Sequence, residues 1–216
     1  MGEKLSNDDI IQALLDLAFY RSAGDASLGD IASSLGIKKS SLYNHFDSRE
    51  DLLQSALESC KEYIDSINFI PNDYANVAKK YPLETVFKGI ALRYFKMHEK
   101  SPFFQIYTFV QSQKYFSVQA AQIIVDEKEK FISQTVQMLE ALKDAKKISL
   151  DSARFYGIAL CFVSALNDLV SDLLLKRKKI VFEKFVDCKS LSNLQSDESS
   201  IEKINSFAQD FCKAHL

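Results

Sequence analysis

The sequence predicts an all-α fold in two parts: three short helices at the N-terminus, a connecting helix, then a larger helical portion. Three observations predict it. Only six Gly and three Pro occur in 216 residues, too few breakers for the turn-rich chain of a sandwich or barrel. Apolar residues recur at helical spacing along most of the chain. No segment alternates convincingly as a strand, and no internal repeat is present. The composition, 47% hydrophobic and 26% charged, is that of an ordinary globular protein.

The first helix begins where Ser6 and Asp9 can cap free amides. It carries Ile10, Ile11, Leu14, Leu15 and Ala18 on one stripe, with Gly24 as its expected stop. A two-turn helix follows from the cap Ser27, with Leu28, Ile31, Ala32 and Leu35 on one face and Gly36 as its breaker. A third short helix is expected from Lys39 to Phe46, with Leu42 and Phe46 inward. Ser48-Arg49-Glu50-Asp51 opens a connecting helix expected to reach Ile70. Residues 72–81 read as irregular. Further helices are expected at 83–100, 102–116, 118–147, 151–179 and 200–213, with a polar loop at 187–200. The organisation expected is a domain at 1–50, a connecting helix at 48–70 and a larger domain at 71–216.

Bulk charge excludes a generally basic chain, because the formal net charge is -2. Any basic surface must be local. Cys60, Cys161, Cys188 and Cys212 form no metal-ligand spacing and no C-x-x-C pair, so reduced thiols are expected. Met1-Gly2-Glu3-Lys4 leads straight into polar Asn7-Asp8-Asp9, without a signal-peptide pattern. The longest apolar stretch, Phe155 to Leu166, is too short to span a bilayer. A soluble cytoplasmic protein with no membrane partner is therefore expected.

One constellation carries chemistry. A striped two-turn helix, the turn Leu35-Gly36-Ile37-Lys38 and a second short helix make a helix-turn-helix. The last of these presents Lys38, Lys39, Ser40, Ser41, Asn44 and His45, short polar or cationic groups with no acid among them. Such a helix can enter a major groove and offer hydrogen bonds to base edges and phosphates. From about Ile10 to Leu57 the sequence resembles the TetR family of bacterial transcriptional regulators. The resemblance is carried by Asp30-Ile31-Ala32, by Leu42-Tyr43-Asn44-His45-Phe46 and by Ser48-Arg49-Glu50-Asp51-Leu52. It implies double-stranded DNA with a palindromic operator as partner. Ser27, Tyr43, His45 and Arg49 match its phosphate-contacting positions. Lys38, Lys39, Ser40 and Asn44 match positions that face bases or the adjacent backbone, while Leu42 and Phe46 match the core. Ser22 and Ala18 depart from the pattern, where a Gly and an aromatic are usual. Neither faces the groove. The first fifty residues hold five cations against eight acids, so binding must depend on local placement and on salt.

The larger part shows no Gly-rich phosphate loop and no H-E-x-x-H, and no enzyme activity, metal or cofactor is expected. His98 and His215 read as solvated, and Lys176-Arg177-Lys178-Lys179 as a solvated helix end. The helix at 153–179 is apolar nearly all round, which requires cover on more than one side. The resemblance implies a homodimer through the last two long helices, with Phe162, Val163, Leu166, Val170, Leu173, Ile204, Phe207 and Phe211 as candidate contacts. It also implies a pocket for a small hydrophobic or aromatic effector, with Phe95, Phe104, Tyr107, Phe131, Phe155 and Asn167 as candidates. The same aromatics equally suit a core. A ligand-released repressor is therefore expected. Two alternatives remain: a DNA-binding protein whose larger domain takes a protein partner, and an all-α enzyme carrying a vestigial helix-turn-helix.

Overall fold

A computed structural model describes residues 5–184 and 186–216, so residues 1–4 of the expected first domain lie outside the described residues. Among the described residues there are ten α-helices and two short 3-10 turns, with no strand. The chain divides into two compact units. The first comprises the residues up to Ser66 and Pro102–Val125, the second Ile67–Ser101 and Asp126–Leu216. This division differs from the boundary expected at residue 71.

In the first unit, α1 (Asn7–Tyr20) starts from a reciprocal capping box between Ser6 and Asp9. Its end falls at Tyr20, before Gly24. There the Ser22 hydroxyl accepts from Asp25 N–H at 3.1 Å, and the Ser22 carbonyl accepts from Ala26 N–H at 3.1 Å. Such local bonds compete with helix continuation. Helix α2 (Leu28–Ser34) is capped by Ser27 and α3 (Lys39–Leu42) follows a four-residue turn. Helix α3 is shorter than expected. Past Leu42 the chain tightens, with Asn44 N–H on Ser41 O at 3.3 Å and His45 N–H on Leu42 O at 3.0 Å. Serine and asparagine are weak helix formers. Helix α4 (Arg49–Ser66) stops short of Ile70. Phe69 N–H goes instead to Gln134 Oε1 at 2.8 Å, and Arg93 takes the Asn68 carbonyl at 3.0 Å.

Helix α7 (Phe103–Gln113) belongs to this first unit and packs on α1 and α4. Phe19 and Phe104 are both buried and meet edge-on at 5.0 Å. A further edge contact joins Tyr63 and Phe103 at 5.7 Å. Each such pair contributes about 0.5–1.5 kcal/mol beyond its burial. Helix α8 (Val118–Asp144) begins in the first unit and continues into the second.

The second unit holds α5 (Tyr74–Lys80), α6 (Leu83–His98), α9 (Phe155–Glu183) and α10 (Glu198–His215). Helix α5 corrects the irregular reading of 72–81. Its one buried side chain, Ala78, leaves almost no apolar period to detect. Helix α6 packs on α5, α9 and α10 around Phe87, Phe162 and Phe211, whose rings meet at 5.0–6.0 Å. With its opening 3-10 turn, the 152–183 helix is long and apolar enough by length and composition to cross a membrane. Its extent exceeds the twelve apolar residues read from sequence. Eleven of the side chains on α9 are nevertheless buried within the protein.

Helix α8 closes with Lys146 at φ 58, where Lys147 N–H reaches Leu142 O and Lys146 N–H reaches Lys143 O, both at 2.9 Å. This is the left-handed C-terminal cap that normally selects glycine, because a Cβ there is crowded. Lys146→Gly is therefore expected to stabilise the fold by about 0.5–1 kcal/mol, read as a raised urea midpoint with unchanged m-value.

The basic run 176–179 is not a helix end, because α9 continues to Glu183. Arg177 is buried. Its guanidinium donates to the carbonyls of Glu99, Leu191, Leu194 and Gln195 at 2.8–3.3 Å and faces the buried Glu99 carboxylate at 3.4 Å. Neighbouring Lys178 is half-buried, and burial pulls its ammonium down to about 7, against attraction from Cys188. Between about 7 and the ordinary lysine value near 10.4, the unfolded chain holds a proton that the folded chain has shed. Stability from this group therefore rises with pH across that window. Burial also pushes the Cys60 and Cys212 thiols up to about 12, which lowers stability as pH rises beyond about 8.5. The lysine effect is thus cleanest between about pH 7 and 8.5. Lys178→Met is expected to flatten the rise in urea midpoint over that interval.

His98 is also inside, not solvated. Its Nδ1 donates to the Tyr94 carbonyl at 2.8 Å, and Nε2 lies 3.2 Å from Glu127 Oε1.

Candidate nucleic-acid interface

The interface is built on the turn between α2 and α3. Gly36 takes φ +67, a conformation crowded for any side chain. That turn lets Ile37 N–H reach Ala32 O at 3.0 Å and Gly36 N–H reach Ser33 O at 3.2 Å, closing the last carbonyls of α2. Leu42 and Phe46 are buried and pin α3 from beneath, as expected. Ile31 and Ala32 on α2 and Ile10 and Leu14 on α1 are likewise buried.

The opposite side of α3 is open. Lys38, Lys39, Ser40, Tyr43 and Asn44 are exposed, and Ser41 and His45 are half-buried. Tyr43, a large aromatic, is 51% exposed, more than core packing would require of it. Residues 38–46 contain two lysines and no acid. The sequence is therefore locally cationic on a chain of net negative charge.

The flanking residues are held more firmly than their sequence suggests. The Ser27 hydroxyl donates to Asp30 Oδ2 at 2.6 Å and accepts from Asp30 N–H at 3.1 Å. Those bonds hold the Asp30 carboxyl below the usual carboxylate range. His45 Nδ1 is fixed by Asn7 Oδ1 at 2.8 Å, a partner 38 residues away that no spacing rule would select. Arg49 Nη2 donates to the carbonyls of Ala23, Gly24 and Ala26, the last two at 3.2 and 3.5 Å. Arg49 thus ties the α1–α2 loop to the start of α4, where Ser48 Oγ accepts from Asp51 N–H at 3.0 Å. The family resemblance implies phosphate contacts for Ser27 and Arg49. What the geometry shows is that they brace the scaffold.

Residues 10–56 match the sequence profile of the family described as bacterial regulatory proteins, tetR family. Over that segment the chain is similar to the TetR family. Its curated relatives include the negative transcriptional regulator of the biofilm operon, IcaR, of Staphylococcus aureus strain Newman. That protein is 30% identical over 95 residues, covering 42% of this chain and 50% of the relative. The chain thus spans about half the length of the curated relatives it matches. Solved structures agree in fold over nearly the whole chain. FadR of Bacillus subtilis in complex with stearoyl-CoA superposes with TM-score 0.55 and 16% identity, covering 94% of this chain and 99% of that one. A Saccharomonospora viridis protein in complex with choline gives TM-score 0.62 and 13% identity, covering 97% and 96%. At those identities the likeness is one of fold.

The six effector candidates are not gathered around one space. Phe104 is in the first unit against Phe19. Tyr107 is half-buried on the same helix. Phe131 stacks on Tyr94 at 4.6 Å, and the Phe155 ring lies 5.7 Å from Lys143 Nζ. Asn167 is half-buried, with its Oδ1 enclosed and lacking a hydrogen-bond partner. Phe95 lines a cavity of about 140 Å³ with Glu99, Leu173 and Arg177. A second cavity, of about 250 Å³, lies between α5, α6 and α8 and has none of the six in its wall.

The subunit-contact candidates Phe162, Val163, Leu166, Val170, Leu173, Ile204 and Phe211 are buried in this chain alone, and Phe207 is half-buried. The face of α9 left open is the other one. It carries Leu175, 67% exposed, and exposed Cys161 and Ala165, together with the exposed charges of Asp168, Asp172 and Lys179. The helix thus buries one apolar stripe internally and exposes a side of mixed character.

Proposed function

We propose that this chain is a sequence-specific DNA-binding transcriptional regulator, a homodimeric, cytoplasmic repressor released by a small-molecule effector. The observation that carries the reading is the open, acid-free surface of α3, held by a fixed turn and a buried inner face. Lys38 and Lys39 would meet phosphate, with Tyr43, His45 and the backbone near Ser27 setting register. Ser40, Ser41 and Asn44 would present hydrogen-bonding groups to base edges. Two such segments related by a two-fold axis would meet successive major-groove faces about 34–36 Å apart. The subunit contact is proposed through α9 and α10, the last two long helices, as the family resemblance implies.

The repressor sign is supported by the description of the staphylococcal relatives as negative regulators. An effector would act by binding one conformational state better than the other, which shifts the pair of recognition segments away from the operator spacing. The test is selection of genomic fragments by the full chain, followed by gel-shift titration at several salt concentrations. Enrichment of one palindromic site, bound with twice the chain stoichiometry per site, is expected. Equal retention of all fragments would overturn the sequence-specific reading.

A further inference from the structure

Asn7 is the first residue of α1, and its side chain is exposed. Asparagine is a weak helix former, so its place inside the helix needs a reason. Capping does not supply one, because Ser6 and Asp9 already form the reciprocal box. The side chain reaches instead to the far end of the helix-turn-helix, where His45 Nδ1 donates to Asn7 Oδ1 at 2.8 Å. Packing joins α1 to α2 and α2 to α3, so this bond is a direct tie between α1 and the segment beyond α3. Both of its ends are set beforehand. The capping box fixes the start of α1, and His45 N–H is bonded to Leu42 O at 3.0 Å, with Leu42 and Phe46 buried on either side.

The chemistry of the pair decides which ring nitrogen carries the proton. An amide carbonyl oxygen only accepts, so Nδ1 must donate. A neutral imidazole has a single N–H, which leaves Nε2 with a lone pair that a phosphate oxygen repels. Only the doubly protonated ring can donate to Asn7 and to a phosphate together, and histidine is the side chain that gains a proton near neutrality. We propose that Asn7 is a positioning residue for DNA binding: it holds the His45 proton on Nδ1, so that Nε2 contacts phosphate only as the ring takes up a second proton. The role rests on the DNA-binding reading above; the state of the ring in the free protein does not. The charges on the surrounding elements are otherwise engaged or apart. Asp9 accepts from Ser6, Asp30 from Ser27 and Asp51 from Asp47 N–H, while Arg49 faces the loop carbonyls. Among the described residues, Asp8, Lys38, Lys39, Asp47 and Glu50 form no ion pair with the ring.

Nitrogen-15 shifts of labelled histidine in the full-length protein test the ring, the His45 signal being the one lost in His45→Gln. At pH 8.5 the wild type is expected to show the Nδ1–H tautomer. Asn7→Asp, whose carboxylate likewise only accepts, is expected to keep it. Asn7→Ala is expected to revert to the Nε2–H form that an unconstrained histidine prefers, with little change in melting temperature because the bond is exposed. Gel shifts on a duplex retained in the selection above, at pH 6 and 8.5 and constant ionic strength, test the coupling. Wild-type affinity is expected to fall about tenfold per bound chain across that interval, the equivalent of one hydrogen bond to a charged group. The fall should vanish in His45→Gln and be largely lost in Asn7→Ala, whose neutral ring can donate from Nε2. A merely structural tie would lower affinity equally at both pH values. An Nε2–H ring in the wild type, or the same pH dependence in wild type and Asn7→Ala, would overturn the positioning role. An Nδ1–H ring in a protein that shifts no DNA at either pH would sink the regulator reading, and the role with it, while the ring geometry stands.

Discussion

Arg177→Ala is expected to cost about 3–5 kcal/mol of folding stability. The guanidinium satisfies four carbonyls and neutralises Glu99, which is 1% exposed. Removing it leaves a buried carboxylate without its counter-ion, and strands the buried carbonyls of Glu99 and Leu191. Lysine does not substitute, because a point charge with three donors cannot match a planar fork. Urea unfolding of Arg177→Ala and Arg177→Lys checks this. The double variant Arg177→Met with Glu99→Gln is expected to recover part of the loss, because it removes the orphaned charge as well. A loss below about 1 kcal/mol in the alanine variant would show that the buried pair contributes little to stability.

The second large effect is on DNA affinity. Tyr43→Phe removes one hydroxyl from a ring that is otherwise in solvent, so folding should be untouched. A hydrogen bond to a charged phosphate contributes about 1.5 kcal/mol or more, roughly tenfold per half-site and about a hundredfold for a dimer. The loss should be equal on all sequences, with the salt slope unchanged, because the phenol is neutral. Lys39→Ala should also weaken binding on all sequences, but it should shrink the slope by about one for each copy. Arg49→Ala should weaken binding and lower the melting temperature together, because its bonds to Ala23, Gly24 and Ala26 position the loop before Ser27. Asn44→Ala should instead relax sequence preference at one base pair per half-site. If Tyr43→Phe and Arg49→Ala both left affinity unchanged at moderate salt, this docking geometry would be wrong.

The all-α class, the capping boxes at Ser6 and Ser27 and the turn at Gly36 were legible because each depends on residues a few positions apart. The open face of α3 was legible for the same reason. What the sequence could not show was pairing across distance. Nothing near His45 announces Asn7, and nothing near Arg177 announces Glu99 or the carbonyls of 191–195. A basic run reads as solvated when three of its four members are lysines, and the fourth turned inward. Helix α5 was missed because it buries too little to leave a period. The candidate pocket aromatics were chosen for their chemistry, and they fall in different parts of the fold, Phe104 against Phe19 and Phe131 against Tyr94.

The membership of α7 in the first unit bears on how this protein can be taken apart. A fragment ending at Ser66 keeps every residue of the helix-turn-helix but strips Phe103, Phe104 and Ile106 from the core that holds α1. Phe19 would lose its edge-on partner and face water. The reading head is therefore not a detachable cassette. Grafting it onto another helical domain would require carrying residues 102–125 along, because they complete the core that holds α1.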